Sequence, residues 1–127
     1  MPDQIPTEIP NILVIDDQRV IGDALKVVLE SHGHDVVVVE NGREGIKQVA
    51  GRRFSFAIVD LFLPGISGLR TIKTIRELQP ELKVILITGQ GTPRAFAEAR
   101  RLGVVGILAK PFRPVDILDL IARVMRG

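Results

Sequence analysis

Apolar and polar positions along the chain form short blocks of two alternating kinds. The first kind is a compact apolar run that stops at a polar group or a turn signal, which predicts a strand buried on both faces. Asn11–Ile15, Val36–Val39, Phe56–Asp60, Lys83–Ile87 and Val104–Leu108 are of this kind. The second kind places apolar residues at helical spacing, and one such block follows each strand. From Gln18 onward Ile21, Leu25 and Val28 share a face flanked by Ala24, and Gly33 closes the helix. Asn41-Gly42 is a hairpin signal by itself, but Ile46, Val49 and Ala50 after it have helical spacing, so it reads as a strand-to-helix turn. Ser67 is an N-cap for a third helix that turns Leu69, Ile72 and Ile75–Leu78 inward until Pro80. Thr92-Pro93 caps and opens a fourth, ended by Gly103. Pro114 opens the last, with Val115, Leu118, Ile121, Ala122 and Met125 on its apolar side. Residues 1–10, with Pro2, Pro6 and Pro10, read as an irregular leader, and 11–127 as one domain.

Five strands alternating with five helices predict an α/β fold: one doubly wound (βα)5 domain with helices on both faces of a parallel sheet. Right-handed crossovers select the strand order 2-1-3-4-5 for a chain of this length. Ligands of such sheets bind at the carboxyl ends of the strands, at the switch point between strands one and three.

Composition narrows the class. The chain has 127 residues, enough for a single core. Its mean hydropathy of +0.25 marks a globular protein. Without Trp, Tyr or Cys, and with five Phe, the core must be aliphatic, and disulfides and thiolate metal sites are excluded. The absence of Cys fits a reducing cytoplasm, where we expect the chain to work. No signal-peptide pattern or bilayer-length apolar run occurs. The formal charge of +2 is mildly basic, but the basic residues are dispersed, so direct nucleic-acid or membrane binding is not expected.

The chemistry sits at the strand ends. Asp60 ends the third strand, and Leu63-Pro64-Gly65 then stops regular structure. An ionised carboxylate there is costly unless water, a metal or a cation meets it. Asp16-Asp17 follow the first strand, Thr88 the fourth and Lys110 the fifth, and the predicted sheet brings all of them to one edge. At an effective dielectric of about 20, three carboxylates within a few ångströms repel by several kcal/mol. Hard oxygen ligands without His or Cys favour Mg²⁺ as the cation that relieves this. With Lys110 as a cation and Thr88 as a hydroxyl, the pocket suits a phosphoryl group, Asp60 being the nucleophile that forms an acyl phosphate.

These residues, in this order, resemble the response-regulator receiver domain of the two-component phosphorelay family, over essentially residues 11–126. The matching motifs are Asp16-Asp17, Asp60 with Leu63-Pro64-Gly65 and Gly68, Ile87-Thr88-Gly89, and Lys110-Pro111-Phe112. The resemblance implies that Asp60 is the phosphoacceptor and that Asp17, Asp60 and the Phe62 backbone carbonyl ligate Mg²⁺, Asp16 acting largely through metal-bound water. It implies further that Lys110 pairs with the phosphoryl oxygens, that Thr88 is the switch hydroxyl, and that Lys110-Pro111 is cis. The implied function is a signalling module, not a metabolic enzyme, catalysing only its own phosphorylation and dephosphorylation. Its implied partners are a sensor histidine kinase or histidine phosphotransfer domain and a downstream protein. Two positions depart from the family pattern. Ile107 stands where an aromatic usually reports activation, and Phe62 places a bulky apolar group beside the phosphate.

Other readings compete. A pseudo-receiver would keep the fold as an interaction domain without phosphorylation. A Mg²⁺-dependent aspartyl-phosphatase of the haloacid-dehalogenase type would need a D-x-D after strand one, where this chain has Asp16-Asp17-Gln18. His32 and His34 read as a solvated helix end, and so do Arg52-Arg53 and Arg100-Arg101. Gly89-Gln90-Gly91 reads as a loop after strand four, not a dinucleotide fingerprint. Val20, Ala24 and Val27 beside the core face of helix one are either core periphery or a docking stripe for a phosphodonor's helix.

Overall fold

The structure, a computed structural model, describes residues 9–127; most of the expected leader therefore lies outside the described residues. The elements are β1 (Asn11–Ile15), α1 (Arg19–Ser31), β2 (Asp35–Val39), α2 (Gly42–Gly51), β3 (Phe56–Asp60), α3 (Gly68–Leu78), β4 (Lys83–Thr88), α4 (Pro93–Arg101), β5 (Gly106–Ala109) and α5 (Pro114–Arg126). All strand pairs are parallel, in the order β2-β1-β3-β4-β5. The three central strands are nearly continuous apolar runs because helices cover both of their faces. Two aliphatic layers result. Leu13, Ile15, Ala57, Val59, Val84 and Leu86 point to the α2–α4 side, while Ile12, Val14, Phe56, Ile58, Ile85 and Ile87 point to α1 and α5. Among the described residues no helix is long and apolar enough to cross a membrane.

The expected caps are present: Ser67 and Thr92 side chains accept from Arg70 N and Ala95 N, and Asn41 adds a third, accepting from Glu44 N. The turn at Asn41-Gly42 opens a helix because Gly42 and Gly45 let α2 settle against Thr71 and Ile15; a Cβ at Gly42 would lie 2.1 Å from Thr71 Oγ1. His32 follows α1 exposed as expected, its Nδ1 donating to Val28 O (3.0 Å), whereas His34 is half-buried, its Nδ1 donating to Pro10 O (2.8 Å).

Three expectations fail. β5 begins at Gly106 instead of Val104, because the Val104 amide is still bonded to Ala99 O at the end of α4 and Gly103 turns the chain at φ 87°. Leu78, expected inward, is exposed at the last turn of α3. The buried stripe of α5 is Ile117, Leu120 and Ile121, while Val115, Ala122 and Met125 face outward. Gly106 explains the rotation: it leaves open the space that Leu120 fills, its Cδ2 lying 2.6 Å from where a Cβ would be.

Candidate functional site

Four strand ends converge on one edge of the sheet. Asp16 leaves β1 fully buried, its amide bonded to Val39 O (3.1 Å) and its Oδ1 accepting from Gln18 N (2.8 Å). Asp17 points outward into the groove described below. Asp60 ends β3 almost buried; its Oδ1 accepts from Phe62 N (3.2 Å) and its Oδ2 from Lys110 Nζ (2.8 Å). Lys110 arrives because its amide extends the β4–β5 pairing to Thr88 O (2.8 Å), just before a cis Lys110-Pro111 bond. The seam beneath is tight: a Cβ on Gly68 would lie 2.2 Å from Asp60 O, so only glycine lets α3 start this close to β3.

Carboxylate oxygens of Asp16, Asp17 and Asp60 all lie within 4.8 Å of one another. Burial, reinforced by the nearby Asp60 charge, raises the Asp16 carboxyl above its ordinary value, against the lowering effect of the Gln18 amide and Lys110. Burial pulls Lys110 down, but the hydrogen bond to Asp60 and the charges of Asp16 and Asp60 outweigh it and hold the ammonium above its usual range. Lys110 Nζ stands 3.2 Å from Asp16 Oδ2, yet that oxygen has no hydrogen-bond partner. One lysine therefore leaves the cluster under-compensated. An unpartnered buried carboxylate oxygen beside two further carboxylates, without His or Cys, is the donor set of a hard divalent cation.

Thr88 is brought to this edge but turned aside. Its hydroxyl donates to Gln90 O and accepts from Gln90 N (3.1 Å), tying the β4–α4 loop to the end of β4. The Phe62 side chain is 59% exposed at the rim. Ile107 is half-buried against the α2–α4 layer, together with Phe96. A groove of about 860 Å³ runs from Asp17, Asp60 and Lys110 along Val20 and Ala24 of α1 to Phe112. Val20 and Val27 are 81% and 68% exposed, so the α1 stripe is surface and not core periphery. Sequence reasoning missed Gln18, whose amide oxygen accepts from Lys110 Nζ. Its place directly after the acidic pair, in the loop at the strand end, was the available signal.

The sequence model of the family described as "Response regulator receiver domain" matches residues 12–122. The response regulator protein FleR of Pseudomonas aeruginosa is 35% identical over 88% of this chain and 24% of its own length. The chain spans 24%, 49% and 57% of the length of the first three curated relatives it matches. Among solved structures, a CheY-like receiver domain protein of Methanospirillum hungatei superposes with a TM-score of 0.87 at 26% identity, over 94% of this chain and all of that one. A response regulator of Burkholderia pseudomallei, with a phosphorylated aspartic acid, calcium and citrate, superposes at 0.83 with 32% identity, over 93% of this chain and 72% of that one.

Proposed function

The chain belongs to the response regulator receiver domain family, and on that premise we propose that it accepts a phosphoryl group on Asp60 from a partner phosphohistidine and changes its interaction surface in response. We take residues 11–127 as the receiver unit, of which the family model matches 12–122. The observation that carries the reading is the Asp60 carboxylate, nearly buried at the switch point of the sheet, with one oxygen on Lys110 and two further carboxylates within 4.8 Å.

Asp17 and Asp60, with Asp16 behind them and the Phe62 backbone carbonyl as a further ligand, are the residues that would hold Mg²⁺. Bound there, the ion supplies charge neutralisation for the carboxylates and for the phosphoryl oxygens. The chain's own residues do the rest. An Asp60 carboxylate oxygen attacks phosphorus, the phosphorus–nitrogen bond breaks, and the imidazole leaves neutral, carrying the proton already on its other nitrogen. Lys110 holds Asp60 in the attacking position and meets the negative charge that arrives with the phosphoryl group. Thr88, released from Gln90, turns its hydroxyl to the phosphoryl oxygens and frees the loop that follows it. Attack by water on phosphorus later breaks the acyl phosphate and returns carboxylate and phosphate.

The donor is a sensor histidine kinase or a histidine phosphotransfer domain, and the acceptor of the signal is a downstream protein, all in the cytoplasm. The protein turns over no external metabolite. Incubation with Mg²⁺ and phosphoramidate, followed by intact mass, tests the reading. One phosphoryl adduct is expected, absent in Asp60→Asn and in EDTA; no adduct from any donor would reduce the chain to a pseudo-receiver.

A further inference from the structure

Gln18 spends its side chain in a place its position does not require. It is the N-cap of α1: its carbonyl accepts from Ile21 N (3.0 Å) and Gly22 N (3.1 Å), and its amide is held by Asp16 Oδ1 (2.8 Å). An N-cap side chain ordinarily serves the free N–H groups of its own helix. That of Gln18 makes no such bond. Its carboxamide instead reaches a residue 92 positions away, accepting from Lys110 Nζ.

An ammonium carries three donors. Around Lys110 Nζ stand three oxygens: Asp60 Oδ2 at 2.8 Å, Asp16 Oδ2 at 3.2 Å, and Gln18 Oε1. Only Asp60 Oδ2 and Gln18 Oε1 accept hydrogen bonds from it, Asp16 Oδ2 being near without one, and a phosphoryl oxygen that enters along the groove meets the donor held by Gln18, which lines that groove. Two of the three oxygens belong to carboxylates buried at strand ends, whose attraction for the ammonium is charge-assisted. The third belongs to a neutral, exposed side chain on a loop that lines the groove. Gln18 is the partner that gives way.

We propose that Gln18 is a positioning residue for phosphoryl transfer: its amide oxygen occupies the Lys110 donor that the phosphoryl group meets and is exchanged for it. The proposal rests on the reading of Asp60 as phosphoacceptor. Gln18 contributes nothing to the bonds made and broken. It sets how strongly a donor must compete before Lys110 engages it, an effect on the donor concentration required and not on the bond-making step.

Phosphoramidate labelling, followed by intact mass over a range of donor concentrations in Mg²⁺, separates the two quantities. Gln18→Leu keeps the bulk and removes the acceptor, whereas Gln18→Glu offers Lys110 a charged one. The half-saturating concentration is expected to rise in the order Leu, Gln, Glu, by about fivefold per step, with the limiting rate moving by less than about twofold. A second readout is solvent exchange of the Lys110 ammonium protons by ¹⁵N NMR without donor. Exchange should be faster than wild type in Gln18→Leu and slower in Gln18→Glu, an ordering that a merely structural role does not produce. If the wild type takes no label, the phosphoacceptor reading falls and this one with it. If the wild type is labelled, and Gln18→Leu needs as much donor or exchanges no faster, the Gln18 proposal is overturned and the Asp60 reading stands.

Discussion

Asp16 shows how a single buried charge shapes the apo protein. Its carboxyl is raised by burial first, with the Asp60 charge adding to the effect, and one of its oxygens has no hydrogen-bond partner. A carboxyl whose folded pKa lies above its unfolded one makes the native state bind more protons, so stability falls as pH rises through the interval between the two values. Above that interval the penalty is complete. Asp16→Asn removes the charge and keeps a hydrogen-bond acceptor for the Gln18 amide. Without divalent cations the variant should be more stable than wild type by about 1 kcal/mol near neutral pH, a Tm rise of about 3 °C. The gain should shrink as pH falls toward the ordinary carboxylate value of 3.8. Thermal melts at several pH values check this; a gain that stays constant or grows on acidification would mean the Asp16 charge is well compensated. Asp116 runs the opposite way. Bonds from the Arg113 amide and guanidinium lower its pKa, so its contribution is present above the unfolded value and is lost as pH falls through the folded one.

At the scale of elements, contacts between helices and strands explain both what the sequence pattern reveals and what it hides. The start of α3 lies against the end of β3 through Gly68, with a carbonyl and the Leu61 backbone where a Cβ would go. Neither is the flexible end of a side chain, so Gly68→Ala must shift backbone. A loss of about 1–3 kcal/mol in denaturant unfolding is expected, together with slower labelling of Asp60; an unchanged midpoint would show the seam to be looser than it stands. On α1 the exposed Val20 tests the groove as a donor-docking face. Val20→Asp should slow transfer from a phosphohistidine partner about tenfold or more while leaving phosphoramidate labelling nearly intact. Parallel losses with both donors would place Val20 in the chemistry or the fold instead. Strand order, the Ser67 and Thr92 caps and the gathering of five polar residues at one edge of the sheet were legible because each rests on local spacing or on a strand end. The rotation of α5 was not. Its sequence is apolar on two overlapping stripes, and the choice between them is made by Gly106 on another element, which admits Leu120. Gln18 had a local signal in its place after the acidic pair, but its partner, 92 positions away, did not show in the spacing.

For the whole molecule the question is how far a charge placed at one edge of the sheet can be felt. A phosphoryl group adds close to two negative charges. Thr88 is bonded through its hydroxyl to both the amide and the carbonyl of Gln90, so turning it toward that charge releases the Gly89–Thr92 loop directly. Transmission to the face formed by α4, β5 and α5 is a different matter. Ile107 sits half-buried in the α2–α4 layer, β-branched, stiff at χ1 and without a hydroxyl to find a new partner when it moves. Shifting a two-state surface from about 1:99 to 99:1 takes about 5.5 kcal/mol of differential interaction. A chain lacking the swinging ring has less coupling to supply at that face, and its output should rest on the loops that touch the site. Amide chemical shifts on adding beryllofluoride and Mg²⁺ measure the distribution. The largest changes are expected in Phe62–Ser67 and Gly89–Thr92, with changes across Ala95–Leu102 and Val115–Leu120 less than about half as large. Equal changes in all four segments would show that Ile107 couples as well as a ring does, and would move the output face to α4 and α5.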